Sequence, residues 1–150
     1  GVHFFGPEMQ PGSHIINIAS VAGLMASAQL GAYSTTKFAV VGLSEALRQE
    51  LEDADVAVTA ICPGFISTNI ARSMRYVGRM ADERVQNKVK KMLDARGAEP
   101  SLVANAILDA LDNKRGVVPV TAEAWAFYLL KRLIPEHLGL ITKAVEKLAT

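Results

Sequence analysis

Two short apolar segments separated by a helical pattern constrain the fold of this chain more than any other feature. Residues 14–19 and 56–62 are rich in β-branched and small apolar residues, as in strands that are buried on both faces. Residues 32–52 carry apolar side chains at helical spacing, and Pro63-Gly64 ends the second strand. A strand, a helix and a strand of these lengths predict a βαβ unit with parallel strands and a right-handed crossover.

The rest of the chain predicts an α/β layered domain with one more strand. The other predicted elements are the tail of a helix at 1–10, a loop with helical turns at 65–80, a polar helix at 82–96, an amphipathic helix at 101–114, a strand at 117–120, and a helical remainder interrupted at Pro135. Three parallel strands leave edges and faces that need cover, so we expect further structure to complete the sheet.

Apolar patterns predict the buried sides of two helices. In the helix over 32–52, small residues at Ala39, Gly42 and Ala46 are expected to permit close packing against the sheet. The helix over 101–114 has Ser101 as its predicted N-cap. Its predicted core stripe is Leu102, Val103, Ala106, Ile107, Ala110 and Leu111.

Composition excludes several classes of protein. The chain has 150 residues, enough for one domain, and its net charge of +1 does not indicate binding to nucleic acid. The single Cys62 excludes an internal disulfide framework and suits a reducing compartment, so we expect a cytoplasmic location. His3, His14 and His137 lack the spacing of metal ligands, so no metal site is predicted.

Polar side chains converge on the rim where a parallel α/β sheet binds ligands. Ser20 follows the first strand directly, and Tyr33 and Lys37 begin the crossover helix at the same end. Residues four apart share one face of a helix, where an ammonium stabilises a phenolate and lowers the pKa of the phenol. The three groups together predict the proton-transfer half of a carbonyl–alcohol interconversion.

Three motifs in order resemble the short-chain dehydrogenase/reductase family. They are residues 16–23, the pair Tyr33-x-x-x-Lys37, and Pro63-Gly64-x-Ile66-x-Thr68. The resemblance covers the whole chain as the C-terminal catalytic part of one domain, with 122–150 as a helical extension. It implies an α/β fold, the C-terminal part of a Rossmann-like doubly wound parallel sheet with flanking helices. The N-terminal nucleotide-binding half, with its Gly-rich turn, is expected to be missing from this chain.

The resemblance also implies roles for individual residues. Ser20, Tyr33 and Lys37 would be catalytic: Tyr33 as general acid or base, Lys37 lowering its pKa, and Ser20 polarising the substrate oxygen. The cofactor would be NAD or NADP, and the expected cofactor-binding residues are Tyr33, Lys37, Pro63, Gly64, Ile66 and Thr68. The activity would be an NAD(P)-dependent oxidoreductase acting on a small-molecule alcohol or carbonyl, and this fragment alone is expected to be inactive. The family also implies a homo-oligomer that pairs through the helix over 32–52.

Other features of the sequence leave the substrate and the partners open. Apolar residues in the predicted loop favour a lipid-like substrate, although the same residues would also fill a core: Met74, Tyr76, Val77 and Met80. In the tail, the mostly apolar segment 122–130, with aromatic residues at 125, 127 and 128, adjoins Lys131 and Arg132, and an amphipathic run follows at 138–148. This pattern indicates either packing on the domain or on a partner subunit, or a helix on a membrane surface. The alternative to an enzyme is a non-catalytic module of the same fold that acts through protein or membrane contacts.

Overall fold

The computed structural model describes residues 2–73, 81–137 and Gly139. The strands are β1 (His14–Ile18), β2 (Ala57–Cys62) and β3 (Val117–Pro119), and they form a parallel sheet in the order β1-β2-β3. His14 pairs with Ala57 at the start of β1, and Ala60 pairs with Val117 at the start of β3. The parallel pairing predicted for the βαβ unit is confirmed.

Helices occupy most of the chain between and after the strands. They are α1 (Val2–Phe5), α2 (Gly31–Glu50), α3 (Ile70–Ser73), α4 (Glu83–Arg96), α5 (Pro100–Asn113) and α6 (Ala122–Leu133), with 3-10 turns at Gly6–Glu8, Val21–Gly23 and Ala28–Leu30. The predicted α/β class and the predicted order of elements are therefore confirmed. The loop residues named as a possible substrate contact, 74–80, lie outside the described residues.

The two faces of the sheet carry different helices. On one face, Ala60 and Cys62 of β2 pack in a cluster with Val41 of α2 and Tyr128 of α6. On the other face, Ile61 packs in a cluster with residues of α5. Because β1, β2 and β3 lie side by side in that order, crossover helices on opposite faces give the two crossovers opposite hands. If the β1–α2–β2 crossover has the usual right hand, the β2–β3 crossover has the left.

The side of α2 that faces the sheet differs from the prediction. Ala39, Gly42 and Ala46 are exposed, and the buried residues are Ser34, Val41, Ser44 and Leu47. The buried Ser44 is satisfied by two bonds, since its hydroxyl donates to the carbonyl of Val40 and accepts from Asn17 Nδ2 at 3.0 Å. Hydrogen bonding thus allows polar residues on the inner side of the helix.

Helix α5 also departs from the prediction in two respects. Its N-cap is Glu99 with Pro100 at the first helical position, and the Ser101 hydroxyl donates to the Glu99 carboxylate. Proline suits that position because its missing N–H would have no partner within the helix. Leu102 and Leu111 of the predicted stripe are each 42% exposed, because α5 covers the sheet with its Ala110 side.

The helical remainder packs on the domain as far as it is described. Helix α6 begins after the Thr121 cap and ends at Leu133, before Pro135. Lys131 lies on the ring of Phe38 in α2, with its ammonium 3.9 Å from the ring centroid. Among the described residues, no helix is long and apolar enough to cross a membrane. Most of the tail beyond 137, with most of the predicted amphipathic run at 138–148, lies outside the described residues.

Candidate functional site

Tyr33 and Lys37 share one face at the start of α2. The Lys37 ammonium lies 5.8 Å from the centroid of the Tyr33 ring. Tyr33 is 37% exposed and Lys37 is half-buried. The phenol therefore remains accessible to a bound molecule while the lysine stem packs against the protein.

Lys37 is also tied to the end of β1. Its ammonium donates a hydrogen bond to the carbonyl oxygen of Ile18 at 3.1 Å. Gly23, in the turn after Ser20, lies so close to α2 that a Cβ there would stand 2.6 Å from the carbonyl oxygen of Lys37. These contacts fix the start of α2 against the carboxyl end of the sheet.

Ser20 caps the short 3-10 turn that follows β1. Its hydroxyl accepts a hydrogen bond from the backbone N–H of Ala22 at 3.2 Å. The backbone on either side continues the pairing with the β2 segment: Ala19 N–H donates to Ile61, and Val21 N–H donates to Pro63, both at 2.7 Å. The Ser20 loop and the Pro63-Gly64 turn therefore lie next to each other at the carboxyl end of the sheet.

The Pro63-Gly64 turn is held from the other side by the start of α6. The backbone N–H of Phe65 donates to Glu123 Oε1 at 2.9 Å. Gly64 has no Cβ, and one built there would overlap the Glu123 carboxylate and Thr121 Oγ1. Glycine at this position thus allows the turn to approach α6 closely.

Ile66 and Thr68 lie in the segment that leaves this turn. Ile66 pairs with Ala98 in an isolated parallel bridge, and the exposed Thr68 accepts a long hydrogen bond from Ile70 N–H at 3.4 Å. Within the described ranges, the hydrogen bonds of this segment are with its own neighbours and with Ala98 rather than with Tyr33 or Lys37. Their predicted contact with a cofactor remains a prediction.

Cys62 is buried at the end of β2 and has an unreactive thiol. Burial is the main cause that raises the pKa of the Cys62 thiol to about 11. A hydrogen bond with the Ser20 backbone opposes this rise, and the charges of Glu45 and Lys37 have still smaller effects of opposite sign. A thiol with this pKa is protonated near neutral pH and is a poor nucleophile. The thiol instead packs in the apolar cluster that joins β2 to α2.

Other parts of the described chain add little ionisable chemistry to this rim. In residues 2–73 and 81–137, no group of three His, Cys, Asp or Glu side chains is placed to hold a metal ion. His14 lies at the opposite end of β1, where its Nε2 pairs with Thr59 Oγ1 at 2.7 Å. The rim thus offers hydroxyl, phenol, ammonium and backbone groups together with the carboxylate of Glu123.

The sequence did not reveal three residues that shape the rim. Glu123 and Gly23 act through contacts between distant segments, which no local pattern marks. Ser34, directly after Tyr33, is 2% exposed, and its hydroxyl has no hydrogen-bond partner among the described residues. Gly23 ends the motif over residues 16–23, but that motif does not predict its close approach to Lys37.

Comparison with known proteins identifies the family. A sequence model described as short chain dehydrogenase matches residues 2–76. The probable oxidoreductase EphD of Mycobacterium tuberculosis is 37% identical over 135 residues, which span 87% of this chain and 23% of that protein. Human 15-hydroxyprostaglandin dehydrogenase [NAD(+)] is 35% identical over 106 residues, which span 68% of this chain and 40% of that protein.

Comparison with solved structures also finds a short-chain dehydrogenase/reductase. A short-chain dehydrogenase/reductase from Burkholderia phymatum, solved in complex with NAD, superimposes with a TM-score of 0.76 at 25% identity. The match covers 93% of this chain and 54% of that structure. The α/β arrangement with a parallel sheet and flanking helices is thus of the Rossmann-like type, and the chain spans about half or less of the length of these relatives. By its sequence motifs, its fold and the family match, this chain belongs to the short-chain dehydrogenase family.

Proposed function

We propose that this chain carries the catalytic part of an NAD(P)-dependent oxidoreductase that interconverts an alcohol and a carbonyl by hydride transfer. The observation that carries the proposal is the position of the Lys37 ammonium, 5.8 Å from the centroid of the Tyr33 ring and bonded to the end of β1. It is supported by the adjacent Ser20 loop and by relatives whose names describe oxidoreductases.

The proposed chemistry of the side chains is proton transfer at one oxygen atom. The Tyr33 hydroxyl gives its proton to a carbonyl oxygen during reduction and takes one from an alcohol during oxidation. The positive charge of Lys37 stabilises the Tyr33 oxygen when it is negative. The Ser20 hydroxyl donates to the same substrate oxygen and stabilises the charge that develops there.

The residues at the rim fit a nicotinamide cofactor. An ammonium has three donors, so the bond from Lys37 to Ile18 leaves capacity for the hydroxyls of a ribose. We assign the cofactor contacts to Tyr33 and Lys37 together with Pro63, Gly64, Ile66 and Thr68 of the turn that follows β2. A bound nicotinamide supplies the hydride donor or acceptor that the protein lacks. NAD in the Burkholderia phymatum structure supports this choice, and NADP remains an equal candidate.

A nucleotide-binding part outside these elements is also proposed. In the described chain β1 is an edge strand, and its Ile18 is 48% exposed, whereas every residue of β2 is buried. An open edge of this kind favours pairing with another strand. We therefore expect residues 1–150 alone to bind NADH or NADPH weakly, and the full-length gene product to bind one of them tightly, which fluorescence titration of both proteins tests.

The substrate and the assembly are proposed from weaker signals. The name of the human relative describes a hydroxyprostaglandin, a hydroxylated lipid-like molecule, which supports an apolar substrate here. The exposed side of α2, with Leu43 at 55% exposure beside Gly42, supports pairing of two copies along this helix. Sedimentation of the full-length gene product with and without Leu43→Glu tests the pairing, and an unchanged mass would contradict it.

Tyr33→Phe in the full-length gene product tests the catalytic proposal. Turnover of secondary alcohols of increasing chain length with NAD⁺ or NADP⁺ should fall by about 100-fold or more, because the proton-transfer group is lost. Cofactor affinity should fall by no more than about tenfold, since at most one hydrogen bond to the cofactor is removed. The matched control is Tyr128→Phe, the same change at a ring that packs in the core. Full activity in Tyr33→Phe would overturn the assignment.

A further inference from the structure

Glu123 joins α6 to the turn that follows β2, across 58 residues of sequence. Its carboxylate accepts the backbone N–H of Phe65 at 2.9 Å, and it packs where a Cβ on Gly64 would stand. Thr121, which caps α6, is buried beside the same glycine. A charge-assisted hydrogen bond and a close backbone approach thus meet at one turn.

Phe65 also pairs with Ala98, at the far end of the segment that follows this turn. The carbonyl of Phe65 accepts from Ala98 N–H at 2.9 Å, and Ser67 N–H donates to the carbonyl of Ala98 at 2.8 Å. The two ends of segment 67–97 therefore lie side by side, next to the turn that follows β2. Gly97 lies tightly against this junction, because a Cβ there would stand 2.6 Å from the backbone nitrogen of Ser67. Hydrogen bonds run without a break from Glu123 through Phe65 to Ala98 and Ser67.

We propose that Glu123 is a positioning residue for the cofactor site, which rests on the function proposed above. The carboxylate holds the Pro63–Gly64–Phe65 turn in the orientation that receives the nicotinamide end of the cofactor. It also fixes the common base of segment 67–97, which starts at that turn. Glu123 acts on the backbone and touches no reacting atom itself.

An ordinary helix-terminal role does not account for this geometry. An acid in the first turn of a helix is stabilised by the helix dipole, and Glu83 in the first turn of α4 is a comparable exposed example. That effect requires no bond to another element, whereas Glu123 binds a backbone N–H that lies beyond the end of β2. Loss of a helix-dipole contribution would lower stability alone, whereas loss of the bond to Phe65 should also weaken binding of the cofactor.

The experiment compares Glu123→Ala, Glu123→Gln and the control Glu83→Ala in the full-length gene product. Amide exchange of the cofactor-free proteins should be faster at Phe65 and Ser67 in Glu123→Ala only, since glutamine retains a carbonyl acceptor. Affinities are then measured for NADH or NADPH, whichever the wild type prefers, and for ADP-ribose or its 2′-phosphate, which lack the nicotinamide. Glu123→Ala should weaken the reduced dinucleotide by about tenfold or more and leave the matching ADP-ribose within about twofold.

The outcomes separate this inference from the function on which it rests. Unchanged exchange at Phe65, or equal losses for the dinucleotide and its nicotinamide-free analogue, would overturn the role of Glu123 alone. An equal loss in Glu83→Ala would show a general effect of helix-terminal charge and would also overturn it. A wild type that binds neither NADH nor NADPH would overturn the proposed function and the inference together.

Discussion

The ammonium of Lys37 donates to the carbonyl oxygen of Ile18 at 3.1 Å, which ties the second turn of α2 to the last residue of β1. Lys37 follows Tyr33 by one helical turn, so this bond sets the side of the helix on which the ammonium stands. The proposed catalytic pair therefore depends on a backbone oxygen of the sheet as well as on two side chains.

Lys37→Met tests the role of the ammonium in this pair. Methionine keeps an unbranched stem but removes the ammonium, so we expect kcat to fall by about 100-fold or more. The free energy of unfolding should change by only about 1 kcal/mol, the usual contribution of one hydrogen bond. Turnover and urea denaturation of the full-length gene product measure the two effects. A loss of activity that merely followed a loss of folded protein would contradict the prediction.

Two glycines near α2 predict opposite effects on stability. A Cβ at Gly23 would stand 2.6 Å from the carbonyl oxygen and 2.9 Å from the carbonyl carbon of Lys37, whereas a Cβ at Gly42 would meet nothing within 4 Å. Because backbone atoms cannot move aside, Gly23→Ala should lower the free energy of unfolding by about 1–3 kcal/mol. Gly42→Ala should raise it by up to about 1 kcal/mol, because alanine is the better helix former. Urea denaturation measures the free energy of unfolding of both variants. If Gly23→Ala were as stable as the wild type, the close contact between the Gly23 loop and α2 would be contradicted.

Much of this architecture could be predicted because it depends on local patterns. The apolar runs ended by Pro63-Gly64 define β1 and β2, and the observed β2, Ala57–Cys62, begins one residue after its predicted start. Placement of Ser20, Tyr33 and Lys37 at one rim follows from the topology of a βαβ unit, since a strand end and the following helix start share that rim. Helical periodicity likewise predicted α5, and the helical remainder interrupted at Pro135 predicted α6, each to within a few residues.

The remaining features depend on contacts that no local pattern marks. Ile18 binds Lys37 through a carbonyl that every residue possesses, so its role leaves no trace in the side chains. Glu123 reaches Phe65 only when α6 has docked beside the end of β2. The prediction for the inner side of α2 is wrong because small size alone does not mark the packed side of a helix, and the polar Ser44 is buried there through its bonds to Asn17 and Val40.

Cys62 should be unreactive in the folded protein. With a pKa raised to about 11 by burial, only about one thiol in a thousand is ionised near pH 8. We expect iodoacetamide to modify Cys62 at least about 100-fold more slowly in native protein than in urea. Peptide mapping of the modified residue gives the rate at this position. Rapid native labelling would contradict both the burial and the raised pKa.

His14 predicts how stability changes with pH. Burial, and to a smaller extent the charges of Arg48 and Lys114, lower the pKa of His14 below its ordinary value of 6.5. The folded protein therefore binds a proton at His14 less readily than the unfolded chain, so the contribution to stability is fully present above about pH 6.5 and falls as the pH drops below it. The neighbouring Asp55 does not contribute in this range, because its bond to Lys114 lowers the pKa of a carboxyl that is already ionised.

The measurement is urea denaturation between about pH 7.5 and pH 5.5, the range around the unperturbed histidine pKa. The free energy of unfolding should fall towards the acid end in the wild type and fall less in His14→Gln, whose amide can still pair with Thr59 but cannot take up a proton. The exposed His3 provides the control, since His3→Gln should keep the wild-type slope. An equal slope in His14→Gln and in the wild type would mean that another group causes the acid sensitivity, and the half-buried contact between His14 and Thr59 would then have no part in it.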